Sequence, residues 1–328
     1  MKKLSRFSSL DKILAIKRID NDSFVSINPI IVPPGAKAGF GGLLLGQSLL
    51  SSLYTVPKNF IPASLHSYFL IGCNPNLPVK YQVENLRRGK NFIHTQVNAF
   101  QNDKLIFTST MMLNKIRTES GSLNKVKTLH KVPNINDGSY IPAEKLFEEN
   151  IDELRLHSER LKSSPDVIDD YGERFQLSAL DYKFPSNFFN NSSTIANQDE
   201  ALDYFVRVKE PINQEYELFA KDGNFPSADI SLGTDPRANY IAFAYLSDAY
   251  FILTLPYFHK KPLYTHKFNV SLDHSIHFHT GAFNSNDWLN FHVDSPRSLY
   301  DRHLMRGEVY DLKGKLVATC VQEGLTTF

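Results

Sequence analysis

The sequence predicts an α+β protein of two similar halves, each an antiparallel sheet curled around one almost wholly apolar helix. Three observations carry this. Two long apolar helical stretches, Phe40 to Tyr54 and Tyr240 to Leu255, each precede runs of alternating strand pattern. The closing strands of the halves share an order, for Lys104-Leu105-Ile106 then Phe107-Thr108 is matched by Lys315-Leu316-Val317 then Ala318-Thr319. At 328 residues the chain is long enough for two domains of ordinary size.

In chain order, Met1-Lys2-Lys3-Leu4 is basic but lacks the apolar run of a signal peptide. Ser8-Ser9-Leu10-Asp11 before Lys12-Ile13-Leu14 reads as a capped amphipathic helix. After the first core helix, Val79 to Glu84 alternates as a half-buried strand must. Ile93, Thr95, Val97 and Ala99 share one face of the next strand, with His94, Gln96 and Asn98 on the other. Gln101-Asn102-Asp103-Lys104 is a hairpin turn, from which Leu105 to Leu113 returns.

The stretch from Glu119 to Arg237, rich in Asn, Ser, Asp and Pro, is expected to hold an amphipathic helix at Pro142 to Leu161 and a strand at Leu202 to Lys209. Its remainder reads as a linker or active-site cover. In the second half Leu289, Phe291 and Val293 face inward on an alternating strand. Met305 to Tyr310, the turn Leu312-Lys313-Gly314-Lys315 and Leu316 to Val321 then repeat the hairpin. The expected units are 1–118, a linker or insert 119–200, and 201–328. The two sheets are expected to join edge to edge, covering strand edges that would otherwise be exposed.

Composition excludes several classes of function. Lys and Arg number 36 against 35 Asp and Glu, so the net charge of +1 supplies no field toward nucleic acid or an anionic membrane. Two cysteines, Cys73 and Cys320, are too few for a disulfide framework. Tyr240 to Phe258 is long and apolar enough to be weighed as a membrane span, but it carries Asp248 in its middle. A charge at the bilayer centre costs at least ~2.5 kcal/mol, so a buried core helix is expected and stable membrane insertion is not.

Asp248 is the sharpest chemical signal. It sits in Ala244-Tyr245-Leu246-Ser247-Asp248-Ala249-Tyr250-Phe251, and an isolated buried carboxylate is costly unless paired, hydrogen-bonded or neutralised. The equivalent first-half helix carries Gln47, with Gly41 and Gly42 at its start. Glycines there let a ligand oxygen reach the first backbone N–H groups, so Gly41 and Gly42 are candidates for an oxyanion or phosphate cradle. For the glycines alone, close helix-on-sheet packing is the better explanation. The spacing is not that of a dinucleotide-binding loop.

Ser271-Leu272-Asp273-His274-Ser275-Ile276-His277-Phe278-His279 is the densest polar cluster. His277 and His279 share a strand face, but no further ligand motif supports a metal, and interface or turn roles are expected. No nucleophile-elbow serine occurs, and Cys320 reads as a core residue. Gln322 follows an apolar strand and offers a neutral amide that can orient a water.

Together these motifs resemble the type II acyl-CoA thioesterases, most strongly the fungal peroxisomal members. The resemblance rests on Gly39-Phe40-Gly41-Gly42, Gly46-Gln47-Ser48-Leu49, Leu65-His66-Ser67-Tyr68-Phe69-Leu70 and Leu86-Arg87-Arg88-Gly89-Lys90-Asn91-Phe92 in the first half. In the second it rests on Leu246-Ser247-Asp248, Leu272-Asp273-His274-Ser275 and Val321-Gln322-Glu323-Gly324. It implies a double hot-dog fold and hydrolysis of fatty acyl-CoA by a water held by an Asp, a hydroxyl residue and a Gln. Those roles fall on Asp248, Ser271 and Gln322, with Ser standing where bacterial members carry Thr. No metal, cofactor or covalent acyl-enzyme is required.

Gly41, Gly42, Gln47, His66, Arg87 and Arg88 are candidate substrate contacts, with Arg306 a further candidate for the coenzyme A phosphates. The resemblance also implies a homo-oligomer in the peroxisome, although Leu325-Thr326-Thr327-Phe328 is not an S-K-L-like ending and a cytoplasmic location is the alternative. The competing readings are a non-catalytic acyl-CoA-binding protein and a hot-dog hydratase. The hydratases pair an Asp with a His close behind it, whereas the five residues after Asp248 here, Ala249-Tyr250-Phe251-Ile252-Leu253, include no His.

Overall fold

The computed structural model describes residues 9–34, 36–116, 125–128, 131–157, 172, 175, 178–189, 201–210 and 235–328. The expected boundary at 118/119, the near side of the one at 200/201, the N-terminal Met1 to Leu4, and the end of the helix expected to reach Leu161 lie outside them. The chain opens with α1 (Leu10–Leu14), β1 (Ile16–Arg18) and β2 (Ser23–Ser26). The first core helix α2 (Gly41–Tyr54) follows, then β3 (Phe60–Phe69), β4 (Lys80–Arg88), β5 (Phe92–Gln101) and β6 (Lys104–Lys115). Next come β7 (Tyr140–Pro142), α3 (Ala143–His157), β8 (Leu180–Pro185) and β9 (Leu202–Val208). The second core helix is α4 (Arg237–Ser247), trailed by a 3-10 turn (Ile252–Thr254) and the short α5 (Leu255–Phe258). The remaining strands are β10 (Phe268–Ser271), β11 (Asp273–Phe278), β12 (Leu289–Leu299), β13 (Arg302–Asp311) and β14 (Leu316–Thr327).

The strand periodicity is realised as expected. On β5, Ile93, Thr95, Val97 and Ala99 are buried while His94, Gln96 and Asn98 are only partly covered. The β5–β6 turn holds Asn102 and Asp103 at φ +48° and +59°, the left-handed pair a two-residue hairpin needs. Tyr300 and Asp301 repeat that geometry between β12 and β13 at φ +53° and +59°. The α1 helix forms behind Ser9, but the Ser9 side chain makes no capping bond, and the backbone carbonyl of Ser9 accepts Ile13 N–H instead.

All the strands among the described residues join one antiparallel sheet in the order β1-β2-β4-β5-β6-β3-β11-β14-β13-β12-β9-β8-β7, with β10 pairing β14 beside this path. The halves meet at the β3–β11 seam, where Tyr68 pairs Asp273 and His66 pairs Ser275, so the edge-to-edge junction is real. Helices α2 and α4 lie antiparallel inside the curve. The start of α2 meets the end of α4, with the Phe40 ring edge-on to Tyr245 at 5.1 Å. At the opposite ends, the charge of Arg237 acts on Tyr54.

Two expectations need correction. The apolar stretch Tyr240 to Leu255 is not one helix: α4 stops at Ser247, Asp248 is its C-cap, and Tyr250 takes φ +62°. The run from Arg237 to Phe258 is still apolar enough to span a membrane by composition, but 83% of its most apolar window is buried inside the fold. Second, the stretch expected as linker supplies β7 and β8, which extend the second sheet beyond β9. Its aromatic residues also pack inward. Phe184 stacks on Phe188 at 4.1 Å and meets Tyr250 at 5.1 Å, while Phe175 stacks on Tyr250 at 6.1 Å. A helix that breaks beside Asp248 exposes apolar surface, and these rings cover it.

Candidate active site

Three elements converge where α4 ends. The helix terminus provides Asp248, the last residue of β10 provides Ser271, and the inward row of β14 provides Gln322. On β14, Cys320, Gln322, Gly324 and Thr326 alternate inward, so a two-residue period alone aims the Gln322 amide at the core. Gln322 Nε2 donates to Asp248 Oδ1 at 2.6 Å and to Ser271 Oγ at 3.0 Å. With both amide hydrogens committed, Gln322 Oε1 is a buried acceptor without a partner among the described residues. The Ser271 hydroxyl, accepting from Gln322, keeps its own proton to donate.

Asp248 is 7% exposed, and burial pushes its carboxyl up to about 6, against the lowering effect of the Gln322 bond and of the Gly42 N–H. Gly42 is the second residue of α2, so the N-terminus of one half's helix meets the carboxylate at the C-terminus of the other's. The positive start of α2 favours the charged form, and the place of Asp248 at the C-terminus of α4 opposes it. The close approach demands small residues: a Cβ at Gly42 would lie 2.3 Å from the Tyr245 carbonyl oxygen.

The structure brings together Asp248, Ser271, Gln322, Gly41 and Gly42. It gives the Gly42 N–H to Asp248, so Gly42 is not a free oxyanion donor as expected. The Gly41 N–H, first in α2, has no intrahelical partner by position.

The other candidates lie elsewhere. Gln47 is 1% exposed, with its amide donating to the carbonyls of Ile13 and Ala15 and accepting from the Tyr81 hydroxyl at 2.8 Å. It fastens the N-terminal segment to α2, and its polar groups are not available to a substrate. His66 is exposed on the sheet face away from the helices, bonded to Ser275 Oγ at 3.2 Å and edge-on to His277 at 5.2 Å. Arg88 donates to the Thr55 carbonyl at the C-terminus of α2, about 20 Å from the Asp248 end by helix rise. Arg87, beside it, is exposed at the same end of β4. Arg306 is paired with Asp294 at 2.5 Å.

Sequence reasoning missed several residues here. Phe69 lies against the position a Gly41 Cβ would take. Tyr204 is fully buried, and the charge of Asp248 helps hold its phenol well above the usual range, after burial itself. Ser247 and His274 form a buried pair next to Asp248, with Oγ and Nε2 2.9 Å apart. The alternation His274, Ile276 inward against Asp273, Ser275, His277 outward was the signal that could have found His274. Among the described residues no group of three or more His, Cys, Asp or Glu could hold a metal ion.

Two family models match the chain: "Acyl-CoA thioesterase N-terminal domain" over residues 31–113 and "Acyl-CoA thioesterase" over residues 195–325. The chain is 41% identical to peroxisomal acyl-coenzyme A thioester hydrolase 1 of Saccharomyces cerevisiae, covering 98% of this chain and 95% of that one. It is 28% identical to human acyl-coenzyme A thioesterase 8, over 95% of this chain and 87% of that one. The crystal structure of an acyl-CoA thioesterase II from Mycobacterium marinum superposes with a TM-score of 0.62 at 21% identity, covering 97% and 96% of the two chains. That likeness is one of fold, the paired helix-in-sheet arrangement called the double hot-dog.

Proposed function

The chain belongs to the acyl-CoA thioesterase family, and we propose that it hydrolyses fatty acyl-CoA to free fatty acid and coenzyme A. The observation that carries the site assignment is the Gln322 amide bridging Asp248 Oδ1 at 2.6 Å and Ser271 Oγ at 3.0 Å. In this reading a water lies among the three residues. Asp248 accepts one water proton as the oxygen attacks the thioester carbonyl carbon. The Ser271 hydroxyl and Gln322 Oε1 offer a donor and an acceptor to hold that water in line. The resulting oxyanion is met by the positive start of α2, at Gly41. Collapse breaks the C–S bond, and the proton on Asp248 passes to the leaving thiolate.

Burial supports this role for Asp248. A carboxyl raised to about 6 is a stronger base than an ordinary one yet is mostly ionised at pH 7. The peroxisomal location named for the 41% identical yeast relative supports the same location here. A fluorescent fusion imaged against a peroxisomal marker tests it; diffuse cytoplasmic signal would count against it.

The activity is tested by free-thiol release from a panel of acyl-CoAs, short to long, with wild type beside Asp248→Asn. Turnover that collapses by ~10²–10⁴-fold in the folded variant is the expected result. A well-folded wild type that releases no thiol from any acyl-CoA would refute the reading.

A further inference from the structure

Asp248 and Ser271 both sit at the end of an element. Asp248 is a C-cap beyond the last turn of α4, and the chain turns away two residues later through Tyr250 at φ +62°. Ser271 ends a four-residue strand that pairs β14 alone. Neither element by itself fixes the separation on which a shared water depends.

One buried contact joins a residue next to Asp248 with one three positions beyond Ser271. Ser247, preceding Asp248, lies 2.9 Å from Nε2 of His274, three residues beyond Ser271. Both side chains are fully buried. Ser247 Oγ donates to the Ala244 carbonyl at 3.0 Å, which leaves the imidazole Nε2–H as the donor to Ser247 and Nδ1 as a bare acceptor. Nδ1 has no partner among the described residues. Burying an imidazole with one nitrogen unsatisfied is less favourable than burying a hydrocarbon of like size. An apolar core position would be served better by leucine.

From this geometry we infer that the Ser247–His274 hydrogen bond is a positioning brace, which sets Asp248 against Ser271 so that the Gln322 amide spans both. The inference rests on the proposed hydrolytic role of Asp248. His274 touches no substrate in this account and acts through the two residues it ties together. Its ring also meets Phe251 edge-on at 5.8 Å.

The test is steady-state kinetics of thiol release by the full chain for His274→Leu, Ser247→Ala, the double variant, His274→Gln and Asp248→Asn. The double variant leaves neither partner stranded, so it keeps its fold even where a single variant suffers. Its expected kcat is at least tenfold below wild type with KM within twofold, and no lower than that of the worse single variant. His274→Gln places an amide N–H near the lost Nε2–H and restores at least a third of kcat. A folded double variant with wild-type kcat, in an enzyme that still needs Asp248, would overturn the brace alone. Losses that add independently, or that appear equally in KM, would overturn it too. Wild-type turnover by Asp248→Asn would instead overturn the underlying reading, and the brace with it.

Discussion

Gly41 stands so close to Asp248 that a Cβ at residue 41 would lie 2.7 Å from Asp248 Oδ2, and 2.9 Å from the Phe69 ring. Glycine at this helix start is therefore a matter of room. Gly41→Ala is expected to keep the fold, since alanine is a better helix former. It must displace a carboxylate already fixed by Gln322, and kcat should fall about tenfold or more, since displacements of this size at a reacting centre are that costly. Thiol-release kinetics with a circular dichroism melt separate the two effects; an unchanged kcat would show that the carboxylate yields freely.

Asp248 should be a stability liability as well as a base. Its folded-state value lies above the ordinary 3.8, at about 6, because burial disfavours the charge. The group therefore contributes most to stability when protonated, and that contribution is lost as pH rises through about 4 to 6. The rise is equivalent to about 3 kcal/mol at pH 7. Asp248→Asn should accordingly unfold at higher denaturant than wild type at pH 7, with the advantage vanishing near pH 4. Equal midpoints at both pH values would contradict the burial argument.

The pH profile of turnover follows from the same group. kcat/KM should fall on the acid side with a midpoint near pH 6 as Asp248 gains its proton. His274, pushed down to about 3 by burial, stays neutral across that range, and Cys320 and Tyr204 are pushed upward out of it. A flat profile between pH 5 and 8 would argue against a general-base role.

Gln47 should prove structural. Replacing it with Met leaves the buried Tyr81 hydroxyl and the Ile13 carbonyl without this partner, while the Ala15 carbonyl keeps the Ile27 N–H, a loss of about 1–3 kcal/mol. Kinetic constants for acyl-CoA should not change at temperatures where the variant is folded. A raised KM with unaltered stability would return Gln47 to the substrate.

Phe184 tests whether the segment between the halves belongs to the core. It is fully buried, stacked on Phe188 and against Tyr250. Phe184→Ala should destabilise by about 3–5 kcal/mol, measured by urea unfolding. A near-neutral change would mean that this stretch is peripheral.

Much of the fold was legible because its signals are local. The alternation on β5, the left-handed pair Asn102 and Asp103, and the apolar run of α2 each follow from a few neighbouring residues. Asp248 was legible for a related reason, since a carboxylate amid apolar side chains is conspicuous in sequence alone. The helix break at Ser247 was not, because Ala249 to Leu253 carries no Gly or Pro to announce it and tertiary packing of Tyr250 decides it. Strands β7 and β8 were hidden by polar surroundings and take their place through pairing with β9.

The sequence by itself determined the two-halved plan and singled out Asp248 on the second core helix and Gln322 on the closing strand, because periodicity and burial preference act over a few residues, while Ser271 entered through the family resemblance. Only the tertiary structure decided which partners those residues meet. The Gly42 N–H reaches Asp248 across the two halves, Gln47 is bound to the N-terminal segment, and Arg88 stands at the far end of α2. Such pairings join residues tens to hundreds of positions apart, and their geometry is set by how two sheets and two helices pack, which no local pattern encodes.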